Sequence, residues 1–144
     1  MMTKNYYLDD SLGYKLFHAS RLICSRLNQN LRDYSVTYEQ WQILSRLYEK
    51  DGQTQNQLAV KNERDQPSVS RLIDNMIKRG LVKRVPHDTD KRINLIYLTE
   101  EMKQVQSELE KLASQTISDA SAGVSKEDLE TCLNVLDQIR ENLR

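Results

Sequence analysis

Apolar residues recur at steps of three and four through most of this chain, the spacing of one face of a helix. Leu12, Leu16, Ala19, Ile23, Leu27, Leu31 and Tyr34 form one stripe, which predicts a long helix over about 11–33. Thr37 is placed to cap a second helix whose inner face carries Trp41, Leu44, Leu47 and Tyr48, and Asp51-Gly52 ends it. Thr54 caps a short third helix, Gln55 to about Lys61, with Leu58 and Ala59 inward. A polar turn, Asn62-Glu63-Arg64-Asp65, leads to a fourth helix over 66–79, with Val69, Leu72, Ile73, Met76 and Ile77 as its buried face. Pro67 suits its first turn, where the missing N–H is not needed. Gly80 stops it.

The period then changes. Leu81 to Val85 and Ile93 to Leu98 are short apolar runs joined by a polar tip, His87 to Arg92, with Pro86 where the first strand leaves the ladder. From Thr99 the helical spacing returns through Met102, Val105, Leu109, Leu112 and Thr116, until Ser121-Ala122-Gly123 breaks it. Ser125 begins Ser-Lys-Glu-Asp, which resembles a capping box, and opens a last helix expected to bury Leu129, Cys132, Leu133, Leu136, Ile139 and Leu143. The order is α-α-α-α-β-β-α-α: mainly α, with a small hairpin. Residues 36–99 read as a compact winged helix-turn-helix lobe. Residues 8–34 and 100–144 read as a helical lobe whose stripes are too long for that module to cover. Those stripes are expected to pack on one another and on a second subunit.

Charge sharpens this division. Residues 61–92 hold nine Lys/Arg and five Asp/Glu, a balance of +4, while residues 100–144 hold five and ten, a balance of −5. The net charge of zero therefore conceals a basic middle and an acidic tail, as in a protein with one face turned toward nucleic acid. The 38% hydrophobic and 29% charged content is lean for a monomer and suits long amphipathic helices completed by a partner. A helix followed at once by a basic hairpin is how a winged helix-turn-helix meets DNA. Ser68, Ser70 and Arg71 are the major-groove candidates, since Arg can bridge a guanine and Ser can bond bases or phosphates. Gln66 and Pro67 begin the helix, where free amides can hold a phosphate. In the wing, Arg92 is the leading candidate, with Asp90 holding it in pose and Lys91 on a phosphate. A solvated helix face and a salt-bridged hairpin tip are the plainer alternatives. Lys83 and Arg84 are equally DNA contacts or exposed hairpin charges.

Other classes find little support. His18 and His87 have no metal or triad context, and no Gly-rich phosphate loop or paired-carboxylate pocket is identifiable, so neither an enzyme nor a cofactor or metal is expected. No run of about 18 apolar residues predicts a membrane span. The opening MMTKNYYLDD has no signal-peptide pattern. Cys24 and Cys132 match no metal spacing, and a reducing cytoplasm is the expected setting.

Leu58-Ala59, the run from Pro67 to Asp74, Lys78 to Val82 and above all Asp90-Lys91-Arg92 followed by Leu95, Leu98 and Thr99 resemble the MarR family of bacterial transcriptional regulators. The resemblance covers nearly the whole chain. It implies a homodimer that binds a pseudo-palindromic operator in double-stranded DNA, often as a repressor, and releases it when a phenolic or other small ligand binds or a cysteine is oxidised. It implies that Arg92 enters the minor groove with Asp90 orienting it. It places an aromatic-acid pocket between the helices and the DNA-binding lobe, where His18, Tyr34, Tyr38 and Trp41 are the candidates; Trp41 reads equally as core. The family's redox branch uses a cysteine in the first helix, which makes Cys24 a candidate thiol switch or protein-interaction switch. A small core residue is the plainer reading of both cysteines. The chain departs from the family's common pattern at Asn62-Glu63, where many members have an apolar residue and a glycine. Asn62 is expected to take the left-handed conformation there.

Overall fold

Leu31 and Ser35 end the first helix before its stripe runs out. The computed structural model describes residues 6–144; Met1 to Asn5, half of the segment without a signal-peptide pattern, lie outside the described residues. Helix α1 spans Leu12–Asn30, capped by Ser11, and a single 3₁₀ turn, Arg32–Tyr34, follows it. Leu31 sits at φ −95°, ψ 6°, and Ser35 is left-handed at φ 57°. On either side of the turn, Leu31 and Val36 both enter the core.

Helix α2 (Tyr38–Glu49) starts with a full capping box between Thr37 and Gln40. It buries Ile43, which is off the predicted stripe, with Leu44 and Leu47; Trp41 and Tyr48 are half-buried. A two-residue strand, β1 (Gln53–Thr54), leads into α3 (Gln55–Lys61), and α4 spans Gln66–Lys78. The hairpin is β2 (Val82–Pro86) with β3 (Asn94–Leu98), in a register that pairs Val82 with Leu98 and Pro86 with Asn94. β1 joins β3 on its other side, so the sheet has three antiparallel strands in the order β1-β3-β2. No apolar alternation marks β1; backbone pairing to Leu95 and Ile96 makes it a strand. Gly52, at φ 72°, turns the chain into it, and a Cβ there would stand 2.8 Å from the Tyr97 ring.

The predicted fifth helix is two, α5 (Glu100–Gln104) and α6 (Gln106–Ala120), with a break at Val105. The Tyr48 hydroxyl donates to the Met102 carbonyl at 2.6 Å, an oxygen that an unbroken helix would offer to the Gln106 amide. Burial and the nearby Glu110 push the Tyr48 phenol up to about 12, so it stays a donor. Helix α7 (Lys126–Leu143) opens on Ser125 as expected.

One apolar core joins α2, α3, α4 and the hairpin, with Leu27 and Leu31 from the α1 end and Met102 and Leu109 of α5–α6 reaching into it. Val69, Ile73 and Met76 are fully buried, and each such side chain contributes about 1.5–3 kcal/mol by leaving water. The last helix departs from expectation. Within the single chain α7 buries none of its residues: Leu129, Leu136 and Ile139 are half-buried, and Cys132, Leu133 and Leu143 are exposed. No helix among the described residues is long and apolar enough to cross a membrane.

Candidate nucleic-acid interface

Asp65, which is not among the residues singled out from sequence, is the cap that starts α4. Its carboxylate accepts the Ser68 amide at 2.8 Å, and Pro67 occupies the first turn where its missing N–H is harmless. Gln66 donates to the Asn56 side chain at 2.6 Å and ties the start of α4 to α3. The buried stripe of Val69, Ile73 and Met76 faces the core, so the opposite face, with Pro67, Arg71, Asp74 and Lys78 at steps of three and four, points to solvent. Arg71 has no hydrogen-bond partner among the described residues and stands free. Ser70 is half-buried and equally unpartnered. Ser68 differs from expectation: its hydroxyl accepts from Arg64 Nη2 at 2.6 Å, and Arg64 also pairs with Glu39 of α2. Ser68 is thus part of the turn's internal bonding before any duplex arrives.

The wing tip is built to present one cation. His87 N–H donates to the Ile93 carbonyl at 2.8 Å, and Ile93 N–H to the Asp90 carbonyl at 3.0 Å. The His87 ring Nδ1 accepts the amides of Thr89 and Asp90, each at 3.2 Å, and so folds the tip over itself. Asp90 then grips Arg92 three times: Nε to Oδ1 at 3.0 Å, Nη2 to Oδ2 at 3.1 Å and the Arg92 amide to Oδ1 at 3.1 Å. The Arg92 side chain is nonetheless 90% exposed. The hydrogen bonds from Arg92 hold the Asp90 carboxyl below its ordinary range, and the same contact raises the Arg92 guanidinium. Lys91 is exposed next to it in the tip, and Lys83 is exposed near the base of the hairpin, opposite Tyr97.

Arg84 resolves differently from Lys83. Its Nη2 donates to Asp74 Oδ1 at 2.8 Å and to Gln55 Oε1 at 2.7 Å, so a single guanidinium joins β2 to α4 and α3. This contact fixes the hairpin against α4. No local pattern could have shown it, because Asp74 and Arg84 lie ten residues apart across a helix end and a strand. At the far end of α4, Arg79 donates to the Ser35 carbonyl at 2.5 Å.

The turn between α3 and α4 corrects another expectation. Glu63, at φ 52°, takes the left-handed conformation, while Asn62 lies at φ −98°, ψ 7°. Asn62 is held elsewhere: Arg46 Nε donates to its Oδ1 at 3.1 Å, and Arg46 Nη2 donates to the Lys61 carbonyl at 3.0 Å.

The four residues read as one pocket do not come together. Tyr38 and Trp41, with Gln42, Ser45, Arg46 and Asn62, line a cleft of about 220 Å³ between α2 and the turn. His18 instead packs on Tyr14 and Phe17 along α1, with ring centroids 4.3 and 5.0 Å away, and Tyr34 packs against the core. Burial, more than the nearby Cys24, raises the Tyr38 phenol above its usual value. Cys24 is half-buried on α1, and Cys132 is exposed, not core.

A model of the MarR family matches residues 34–93, from the end of the 3₁₀ turn to the wing tip. Solved structures match more of the chain. A probable transcriptional regulator from Pseudomonas aeruginosa is 26% identical, over 92% of this chain and 99% of that one, with a TM-score of 0.83. A MarR transcriptional regulator from Methanosarcina mazei is 24% identical over 91% and 94%, at 0.80. A mutant MarR from E. coli, solved with operator DNA, is 21% identical over 89% and 92%, at 0.82. Residues 34–93 therefore carry the MarR-family winged helix-turn-helix, on a chain whose fold is that of the family's solved transcriptional regulators.

Proposed function

We propose that this protein is a homodimeric, sequence-specific DNA-binding regulator that represses from a pseudo-palindromic operator and is released by a small ligand. One observation carries the DNA-binding reading: Arg71 stands free on the outer face of a helix fixed through its opposite face, beside a wing that holds Arg92 outward on Asp90. Arg71, with Ser70, reads base edges; Arg92 and Lys91 meet the neighbouring groove and backbone. Gln66, tied to Asn56, and Ser68, held by Asp65 and Arg64, fix the helix start behind Pro67, so that Ser70 and Arg71 are presented in one pose. Residues 36–99 act as the DNA-binding lobe, and residues 8–34 with 100–144 as the dimerisation lobe. Support for dimerisation comes from the exposed Leu12, Phe17, Leu22, Ile117, Leu133 and Leu143, and from a cleft of about 280 Å³ between α1 and α6 where Ala19, Leu22, Ile23 and Ala120 lie beside Thr116 and the Arg26–Asp119 ion pair. The cleft at Tyr38, Trp41 and Arg46 suits a phenolic effector, with two aromatic walls and a cation against the turn that leads into α4. The protein acts where the DNA is, in the cytoplasm, and without catalysis.

Selection of bound duplexes from a random DNA pool tests this. An enriched inverted repeat with half-sites about one helical turn apart, roughly 34 Å, supports it; no enrichment, or a lone half-site, contradicts it. A second reading, thiol sensing, draws on the nearness of Cys24 to Tyr38. Peroxide that releases the selected duplex from the wild type but not from Cys24→Ser supports that reading, and equal release from both removes it.

A further inference from the structure

Glu63 is the residue to explain in this helix-turn-helix. A side chain at φ 52° is strained relative to the right-handed region, and glycine would avoid that strain. What the chain obtains from a carboxylate at this place lies in the last helix. Arg140 Nη2 pairs with Glu63 Oε2, and Arg144 Nη2 reaches Oε1 at 3.3 Å. Arg140 lies in the last turn of α7 and Arg144 follows as its C-cap, four residues on, so the end of one helix delivers both to one carboxylate. Asp137 and Glu141 each steady one of them from three residues earlier, at 3.4 Å. The contact with Arg140 holds the Glu63 carboxyl below its usual range.

The opposite side of the same turn is held from α2, where Arg46 takes Asn62 and the Lys61 carbonyl. The α3–α4 angle is thus set between two clamps, one inside the winged lobe and one belonging to the helical lobe. The second clamp continues the apolar stripe of α7, because Leu136, Arg140 and Arg144 follow at four-residue steps. Whatever covers Leu136 therefore also constrains the arginines.

We propose that Glu63, Arg140 and Arg144 are positioning residues for DNA recognition, an ionic link by which the terminal helix of the helical lobe fixes the turn that aims α4. The link rests on the DNA-binding reading above for its consequence, but not for its existence. A rigid turn keeps Gln66 to Arg71 in one pose, and a shift of α7 is passed directly to the start of the recognition helix.

The test uses the full chain and two readouts: amide hydrogen exchange of residues 63–68, and affinity for the duplex that the wild type selects from a random pool, at fixed salt. Glu63→Gln keeps the size and backbone of the residue and removes the charge. It is expected to speed exchange in the turn and weaken binding by about threefold to fivefold, the scale of exposed ion pairs. Arg140→Gln with Arg144→Gln should do the same, and all three together no more than either alone. The reversed set, Glu63→Arg with Arg140→Glu and Arg144→Glu, should restore slow exchange, which a merely structural loss would not do. Unchanged exchange in Glu63→Gln, additive losses, or a reversed set that stays fast would overturn the proposal. If the wild type selects no duplex, the DNA-binding reading fails, and the exchange data still decide the link.

Discussion

The winged lobe and the terminal helices solve the same problem with opposite results. In residues 36–99 every strong apolar stripe finds its cover within the chain: Ile43, Leu44, Leu58, Val69, Ile73, Met76 and Ile96 are each 0% exposed. In α7 an equally regular stripe leaves Leu133 54% and Leu143 81% exposed. The hydrophobic pattern alone does not separate the two cases. Helix α4 has a short connection on each side and folds back onto its neighbours, whereas α7 runs past the edge of the core that the described residues build. The apolar stripes of the winged region are therefore covered within one chain, while the stripe of the last helix is left open.

The largest expected effect breaks the comparison at its weaker side. Leu133→Glu combined with Leu136→Glu places two charges in the uncovered stripe and should turn the proposed dimer into monomer in sedimentation, while the circular dichroism of the chain stays helical. Next comes the filled side. Ile73→Ala should lower unfolding free energy by about 2–5 kcal/mol in urea titration, whereas Leu143→Ala should change it by well under about 1 kcal/mol. In duplex titrations, Arg71→Ala should cost about 1–3 kcal/mol and relax preference among bases, while Arg92→Ala should weaken all duplexes alike and lower the salt slope by about 1. Equal affinities for wild type and both variants would remove these two residues from the interface.

Smaller effects sharpen the picture of how helix and wing are joined. Arg84→Met removes the contact that bridges Asp74 and Gln55, and should raise hydrogen exchange in β2 while weakening binding less than Arg92→Ala does. The Asp90–Arg92 pair gives a pH expectation. Asp90 has a lowered folded value, so its contribution is present above the ordinary aspartate value and is lost as pH falls through the lowered one. The Asp90–Arg92 pairing, read by the Arg92 side-chain resonance, should persist until the pH falls below that ordinary value.

The same contrast between local and distant cover separates what the amino-acid sequence reveals from what it hides. Elements with a strong period and good caps are legible in it: α2 with Thr37, α3 with Thr54 and the hairpin all stand where expected. The Asp90–Arg92 grip is legible because two residues in one tight turn can hardly avoid each other. Features set by distant partners are not. β1 exists because β3 offers it a ladder, the break at Val105 accompanies a bond from Tyr48, and Glu63 rather than Asn62 turns left-handed where arginines from α2 and α7 divide the pair. Arg84 has the local pattern of a surface charge, and only the packing of α3 and α4 beside it makes it a bridge. The aromatic set fails for a related reason: His18 lies on α1 with its ring committed to Tyr14 and Phe17, away from the cleft that Tyr38 and Trp41 form.

The central claim is that a second copy of the chain covers the stripes left open in one. Sedimentation equilibrium of the full chain, alone and with its selected duplex, measures this directly. Two chains per particle are expected in both cases, with one duplex bound per pair of chains. A monomer in solution that binds a single half-site at one chain per duplex would contradict the claim.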